Sequence, residues 1–160
     1  MEDVPGHYKI SLLEAVSKLE CKGRISYYSR NLFTYARISD EFSYLATEIL
    51  APLGFTLVPL MHKDFSPKTH ISLLNNYEQD FVVQRVNVDN TYRKWESKEI
   101  TFKIEEVAFS KQRDKNTGLM KNVCMLRVSS THIEEIREDL FVDPLSEYYS
   151  CHIKLCENFE

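Results

Sequence analysis

Two short segments of the chain share one pattern, in which polar and apolar residues alternate. The first spans residues 69–74 and reads THISLL, and the second spans residues 151–155 and reads CHIKL. Successive side chains of a β-strand point to opposite faces, so each segment predicts a strand with one apolar face and one polar face. Each strand must therefore lie between a hydrophobic core and an exposed surface.

The polar faces of these two predicted strands carry reactive side chains. His70 and Ser72 share one face of the first strand, and His152 and Lys154 share one face of the second. If the two strands lie side by side, two imidazoles, one hydroxyl and one ammonium surround a common space. We therefore expect the apolar faces to enter the core and the polar faces to line a cleft.

The length and composition indicate one globular domain. The chain has 160 residues, of which 43% are hydrophobic and 28% are charged, and these are ordinary values for a globular protein. The aromatic fraction of 12% favours strands over a helical bundle. We expect residues 1–30 to form an N-terminal extension with a short helix and residues 31–160 to form a single domain.

The charge and hydropathy of the chain exclude several classes of partner. A net charge of −4 argues against a protein that coats long nucleic acid, although a small nucleotide substrate is compatible with it. The sequence has no run of about 18 apolar residues, and residues 1–6 have neither the basic nor the apolar region of a signal peptide. We expect a cytoplasmic monomer that does not bind a membrane.

The four cysteines do not show the close spacing of zinc or redox sites. Cys151 and Cys156 flank the second motif, but they would face opposite sides of one strand and are not expected to form a disulfide. A zinc site made by His70, His152 and a cysteine is an alternative that no spacing favours.

The other elements are predicted from periodicity and from turn residues. In the first half we expect a helix that ends before Gly23, a strand over residues 31–38, a helix capped by Ser39 or Asp40, and a strand over residues 55–61. The face of the 31–38 strand that carries Tyr35 also carries Phe33 and Arg37.

The second half repeats this content. Residues 75–96 predict a helix with an irregular stretch at 87–90, and residues 100–109 predict a strand with a bulge at Glu105–Glu106. A turn over residues 114–118 leads to a returning strand at 123–128. Thr131 and Glu134 have the form of a capping box for a helix before the last strand.

The two histidine motifs resemble those of the 2H phosphoesterases, a family that includes RNA ligase-like proteins, cyclic phosphodiesterases and 2′,5′-phosphodiesterases. That family is defined by two His-x-Thr/Ser-hydrophobic motifs, and residues 70–73 (HISL) and 152–155 (HIKL) are similar to them. Residues 31–36 also resemble the opening strand of the family, and residues 99–128 resemble the strand pair before its second motif. The resemblance covers most of residues 31–156.

The resemblance implies an α+β fold, in which two antiparallel sheet lobes flanked by helices surround a central cleft, the bilobal 2H phosphoesterase-like fold. It implies that His70 and His152 are catalytic and that Ser72 and Lys154 bind phosphate. Lys154 departs from the family pattern, which normally has Thr or Ser at this position. An ammonium can still bind a phosphate oxygen as a point charge.

The chemistry of these side chains points to the same activity. Cleavage of a phosphodiester next to a ribose hydroxyl, or opening of a cyclic phosphate by water, needs a base for the attacking oxygen and an acid for the leaving oxygen. Two histidines can fill both roles near neutral pH. Ser72 and Lys154 would stabilise the charge on the nonbridging oxygens. This mechanism needs no metal or other cofactor.

The acidic net charge favours a short RNA or oligonucleotide as substrate, with 2′,5′-linked oligoadenylate as the leading candidate. The resemblance to viral members of the family would then imply suppression of an antiviral signal. Tyr35 and Tyr148 are candidates to stack on a base. The alternatives are an enzyme that processes RNA 3′ ends or 2′,3′-cyclic phosphates, and a non-catalytic nucleotide-binding module in which Lys154 has replaced the hydroxyl.

Overall fold

A computed structural model describes residues 4–58, 68–74, 80–145 and 151–159 of the chain. These residues form an α+β fold. The helices are α1 (Gly6–Val16), α2 (Glu41–Leu50), α3 (Phe81–Trp95) and α4 (Thr131–Asp139), and residues 51–53 form a short 3₁₀ turn after α2. The strands are β1 (Lys22–Tyr27), β2 (Thr34–Ile38), β3 (Thr56–Leu57), β4 (His70–Leu74), β5 (Ile100–Thr101), β6 (Lys103–Arg113), β7 (Met120–Ser129) and β8 (His152–Phe159).

The described strands belong to one antiparallel sheet. Their order is β5-β1-β2-β4-β8-β7-β6, and β3 pairs with β8 beside β4. The sheet consists of two halves with the same connectivity, since a hairpin, a helix and a central strand follow one another in each. These are β1, β2, α2 and β4 in the first half, and β6, β7, α4 and β8 in the second. The halves meet at β4 and β8, which carry the two motifs.

The sheet is curled. Although β5 and β6 stand at opposite ends of the strand order, only Phe102 separates them along the chain. Because one residue spans about 3.8 Å, the two ends of the sheet must come together at this point. Phe102 is buried there, and its ring lies 6.0 Å from that of Phe42 on α2.

The helices pack across the boundary between the halves. Helix α2 contacts β8 as well as α1 and β3, and α4 contacts β4. Phe42, Ala46 and Leu50 of α2 are completely buried, as is Ile136 of α4. Each half therefore covers the central strand of the other, and one hydrophobic core serves both halves.

Part of the predicted N-terminal extension lies in the sheet. Strand β1, which was not predicted, pairs with β2 from Gly23–Ile38 to Tyr27–Thr34, and Ile25 is buried. Helix α1 packs on α2 and β6, with Leu12 and Val16 completely buried. A boundary at residue 30 therefore does not separate an extension from the sheet.

Two other local predictions were wrong in detail. Residues 87–90, expected to be irregular, lie inside the continuous helix α3, because Val88 and Thr91 face the core. The N-cap of α4 is Ser130, whose hydroxyl accepts from the Ile133 N–H at 3.1 Å, so the cap lies one residue before Thr131. Asp40 does precede α2 as predicted.

The predicted bulge in the long strand is confirmed. Ile104 pairs with Val128 and Glu106 pairs with Arg127, so Glu105 is the extra residue of β6. The turn at 114–118 is confirmed as well, and its Gly118 has a φ of 74°. Of the strand predicted over residues 55–61, only β3 is formed among the described residues, and residues 59–61 lie outside them.

Candidate active site

The alternation predicted for the two motifs is confirmed. In β4, Ile71 is 1% exposed and Leu73 2%, whereas His70 and Ser72 are half-buried on the other face. The second motif has the same arrangement in β8. Ile153 and Leu155 are completely buried there, His152 is half-buried and Lys154 is exposed.

A β-bulge follows each histidine at the same distance. Tyr35 pairs with Ser72 and Thr34 pairs with Leu74, so Leu73 is the extra residue of β4 against β2. A bulge adds one unpaired residue to a strand and bends it, and bulges are frequent beside active sites.

In the second half, Met125 pairs with Lys154 and Cys124 with Cys156, so Leu155 is the extra residue of β8 against β7. Both bulged leucines stand three residues after a histidine. The bulges therefore bend both central strands at matching positions, one step beyond the second polar residue of each motif.

A cleft opens where these central strands separate. The pairing between β4 and β8 consists of Ile71 with Ile153, and further along its length β8 pairs with β3 instead. The cleft beside this point has a volume of about 290 Å³. Its lining residues are Phe33, Ser43, Val58, Lys68, Thr69, His70, Ser72, His152, Lys154 and Leu155. It thus brings together the two predicted catalytic histidines and both predicted phosphate-binding residues.

The cleft is cationic in a chain of net charge −4. Two lysines, Lys68 and Lys154, line it together with the two histidines, and none of the lining residues that the structure describes is acidic. Such a site attracts anions. Lys68 was not singled out from the sequence, where it is one of many scattered lysines and has no motif of its own.

The His70 ring has a defined hydrogen bond on one side. Its Nδ1 lies 2.9 Å from the carbonyl oxygen of Lys68. A carbonyl can only accept, so Nδ1 carries a proton and Nε2 is the nitrogen that can exchange a proton with a ligand. Burial lowers the pKa of His70, and the charges of Arg37 and Lys154 lower it further, against the effect of the Lys68 carbonyl.

The pKa of His152 is lowered as well. Burial is the main cause, followed by the positive charges of Lys154 and Arg137 and by His70 itself. Because a positive charge on His70 lowers the pKa of His152, protonation of one ring opposes protonation of the other. One neutral and one protonated histidine is therefore favoured over two protonated ones.

Lys154 stands at the side of the cleft near the β6–β7 hairpin. Its Nζ donates to Gln112 Oε1 at 3.3 Å. Partial desolvation is the largest cause that lowers the pKa of its ammonium, and the positive charge of Lys121 adds to it. The side chain is exposed, so it can exchange its amide partner for an anion in the cleft.

Two aromatic rings, those of Phe33 and Tyr35, contact the His70 ring. The Tyr35 ring centroid lies 5.6 Å from that of His70, and the Phe33 centroid lies 5.7 Å from it, both in edge-to-face geometry. Tyr28 extends this group, with its ring 5.5 Å from Tyr35 and 5.9 Å from Phe33. Tyr35 thus contacts His70, but Phe33 and not Tyr35 lines the cleft, and the stacking role of Tyr35 stays a prediction. Tyr148 lies outside the described residues.

Two further residues near the cleft had no recognisable signal in the sequence. Ser43 of α2 lines it and is 1% exposed, with its hydroxyl 2.6 Å from that of Thr69. Arg137 of α4 is 2% exposed and donates from Nη2 to the Ser72 carbonyl at 2.8 Å. Both come from helices read only for their apolar faces, and a buried polar side chain is not visible in such a pattern.

Comparisons with models of protein families, with curated proteins and with solved structures found no match. The alternative zinc site is not formed by the described residues, since no three His, Cys, Asp or Glu side chains among them could hold a metal ion together. Within the described ranges, every helix is too short or too polar to cross a membrane.

Proposed function

We propose that the chain is a metal-independent phosphodiesterase that cleaves short oligonucleotides with two histidines as general acid and base. The observation that carries this proposal is the composition of the cleft. His70, Ser72, His152 and Lys154 line one cavity, and its described lining contains cations and hydroxyls without a carboxylate. The two halves, each with a central strand that carries one histidine motif, are also what a bilobal 2H phosphoesterase-like fold would require.

The proposed reaction uses the two rings in opposite protonation states. The neutral histidine takes the proton of the attacking hydroxyl or water as its oxygen bonds to phosphorus. The protonated histidine gives its proton to the leaving oxygen as the old P–O bond breaks. Ser72 and Lys154 donate hydrogen bonds to the nonbridging oxygens, whose negative charge grows in the transition state.

The surroundings of the cleft favour a nucleotide as the group that carries the phosphate. The Phe33 and Tyr35 rings adjoin His70, and the exposed Tyr28 ring packs against both of them; an aromatic group of this kind can stack on a base. Lys68 and Lys154 add positive charge on the cleft wall. Within this class we propose 2′,5′-linked oligoadenylate as the substrate. The alternative substrates are RNA 3′ ends and 2′,3′-cyclic phosphates.

The test is a substrate panel with products identified by mass. The protein is incubated with 2′,5′-linked, 3′,5′-linked and 2′,3′-cyclic-phosphate oligonucleotides of equal length and base composition. We expect turnover of at least one linkage that persists in excess EDTA, with 2′,5′-linked oligoadenylate cleaved fastest. Turnover that EDTA abolishes would contradict the mechanism, and preference for another linkage would replace the substrate but keep the mechanism.

The contact between Lys154 and Gln112 favours a second function, a non-catalytic nucleotide-binding module, because the ammonium already has an amide partner and stands where the family pattern has a hydroxyl.

If Lys154 instead binds the reacting phosphate, Lys154→Gln should lower kcat/KM by about 10²-fold, the loss typical of a removed oxyanion donor. Lys94→Gln is the matched control, because Lys94 forms ion pairs with Glu135 and Asp139 outside the cleft. Binding of the oligonucleotides without turnover by the wild-type protein would establish the second function instead.

A further inference from the structure

One peptide unit connects a carboxylate to the ring of His70. The N–H of this unit belongs to Thr69 and donates to Asp40 Oδ1 at 2.9 Å. Its carbonyl belongs to Lys68 and accepts from His70 Nδ1 at 2.9 Å. A peptide unit is planar, with its N–H and C=O pointing in opposite directions. The bond to Asp40 therefore fixes the direction of the carbonyl that the imidazole binds.

Arg37 binds both the Asp40 carboxylate and the peptide unit between Thr69 and His70. Its Nη1 and Nη2 donate to Asp40 Oδ1 and Oδ2, each at 2.9 Å, in the bidentate geometry of a strong ion pair. Nη1 also donates to the Thr69 carbonyl at 2.8 Å. The N–H and the C=O of Thr69 are therefore both held by this pair of residues, immediately before His70.

The conformation of the chain at this point requires such support. Lys68 has a φ of 44°, in the left-handed region that residues with a Cβ seldom occupy. A conformation of this kind persists where the surrounding contacts determine it. The bonds to Thr69 supply those contacts, and the Thr69 hydroxyl lies 2.6 Å from that of Ser43, with both residues buried.

The matching position in the second half lacks the carboxylate. Arg127 stands opposite His152 as Arg37 stands opposite His70, and Ser130 takes the place of Asp40 three residues later. The Ser130 hydroxyl caps α4, and Arg127 Nε donates to Glu106 at 2.8 Å. The second half therefore has a helix-capping serine where the first half has Asp40, although the two histidines have matching positions in the sheet.

We propose that Asp40 and Arg37 are positioning residues that act on His70 through the Lys68–Thr69 peptide unit, and this proposal rests on the function proposed above. They hold the imidazole as the Nδ1–H tautomer, with Nε2 as the nitrogen that exchanges the proton with substrate. In catalytic triads and metal sites, a carboxylate orients a histidine ring by a direct hydrogen bond. Here one peptide unit stands between the carboxylate and the ring.

The test is Asp40→Asn, because an amide has one acceptor oxygen and no negative charge, so it cannot keep both the bond to the Thr69 N–H and the bidentate pairing with Arg37. The side-chain ¹⁵N resonances of His70 are recorded in the ligand-free protein above the pKa of His70, which reports its tautomer. Wild type should show the Nδ1–H tautomer alone, and the variant should show a mixture. With a cleaved oligonucleotide, we expect kcat to fall about 10- to 100-fold and KM to change less than threefold.

Asp80→Asn is the matched control, since Asp80 also precedes a helix and accepts from backbone N–H groups, at 3.0 and 3.4 Å. It should leave both the His70 tautomer and kcat as in wild type. An unchanged tautomer with unchanged kcat in Asp40→Asn would overturn the proposal.

The positioning proposal would also be overturned if the neutral His70 ring of the wild-type protein carried its proton on Nε2 instead of Nδ1. This test does not require Asp40→Asn to fold. The tautomer is measured without substrate. Failure of the positioning proposal is therefore distinguishable from absence of phosphodiesterase activity.

Discussion

Both histidines of the cleft have a pKa below that of an ordinary histidine. Burial and neighbouring positive charges lower the pKa of both His70 and His152 below the usual value of 6.5. The proposed mechanism needs one ring neutral and one protonated in the free protein. As pH rises through the higher of the two pKa values, the acid is lost, and a lowered pKa moves this loss to lower pH.

The pH dependence of kcat/KM should therefore be bell-shaped with its maximum below about pH 6.5. The kcat profile should lie at higher pH, because a bound phosphate favours protonated rings and raises both pKa values. The measurement is initial rate against pH at low and at saturating substrate. A kcat/KM maximum above pH 7.5 would contradict the environment described for the rings.

At the scale of the elements, the placement of β1 against β2 sets the position of Arg37. Gly23 is the contact point: a Cβ there would lie 2.6 Å from the Arg37 carbonyl oxygen and 2.8 Å from Ile38 Cγ2. Because the first of these atoms belongs to the backbone, the close approach cannot be relieved by a side-chain rotation. Glycine is therefore required in this strand, although it is unfavourable in strands generally.

Gly23→Ala should reduce the free energy of unfolding by about 1–3 kcal/mol, the usual effect of overpacking. Gly6→Ala is the control, because nothing lies within 4 Å of a Cβ at Gly6. Urea denaturation of both variants measures the effect. Equal stability of Gly23→Ala and wild type would mean that β1 does not lie against Arg37 as described.

The strands with strict alternation were predictable, and those without it were not. The faces of β4 and β8 followed from a period of two in THISLL and CHIKL, and the slip at Glu105–Glu106 indicated the bulge in β6. Strand β1 reads KGRISY, in which Gly23 and two charged residues hide the apolar face. The bulges at Leu73 and Leu155 left no signal, because a leucine fits either a paired or an unpaired position.

At the scale of the whole molecule, the two halves depend on each other. Helix α2 of the first half packs on β8, and α4 of the second packs on β4. Two similar halves were predicted from their content, but this exchange of helices was not, because packing between distant segments has no local pattern. The site was predictable as a pair of motifs, whereas Lys68, Ser43 and the bonds of Asp40 depend on the assembled fold.

The chain should therefore unfold in one cooperative transition. Trp95 at the end of α3 is the single tryptophan and is 3% exposed, so its fluorescence reports on the core. Its urea transition should coincide with that of the far-ultraviolet circular dichroism, as expected for a two-state domain. Two separated transitions would show that the halves fold independently.

The measurement that tests the central claim most directly is turnover by single-histidine variants. His70→Ala and His152→Ala are assayed on the oligonucleotide that wild type cleaves fastest, with His132→Ala as a control, since His132 is half-buried and lies beside Trp95 and Thr101 instead of the cleft. We predict that each cleft variant loses at least about 10²-fold in kcat, the contribution of one general acid or base, with its circular dichroism spectrum unchanged. Wild-type activity in either cleft variant would contradict the two-histidine mechanism.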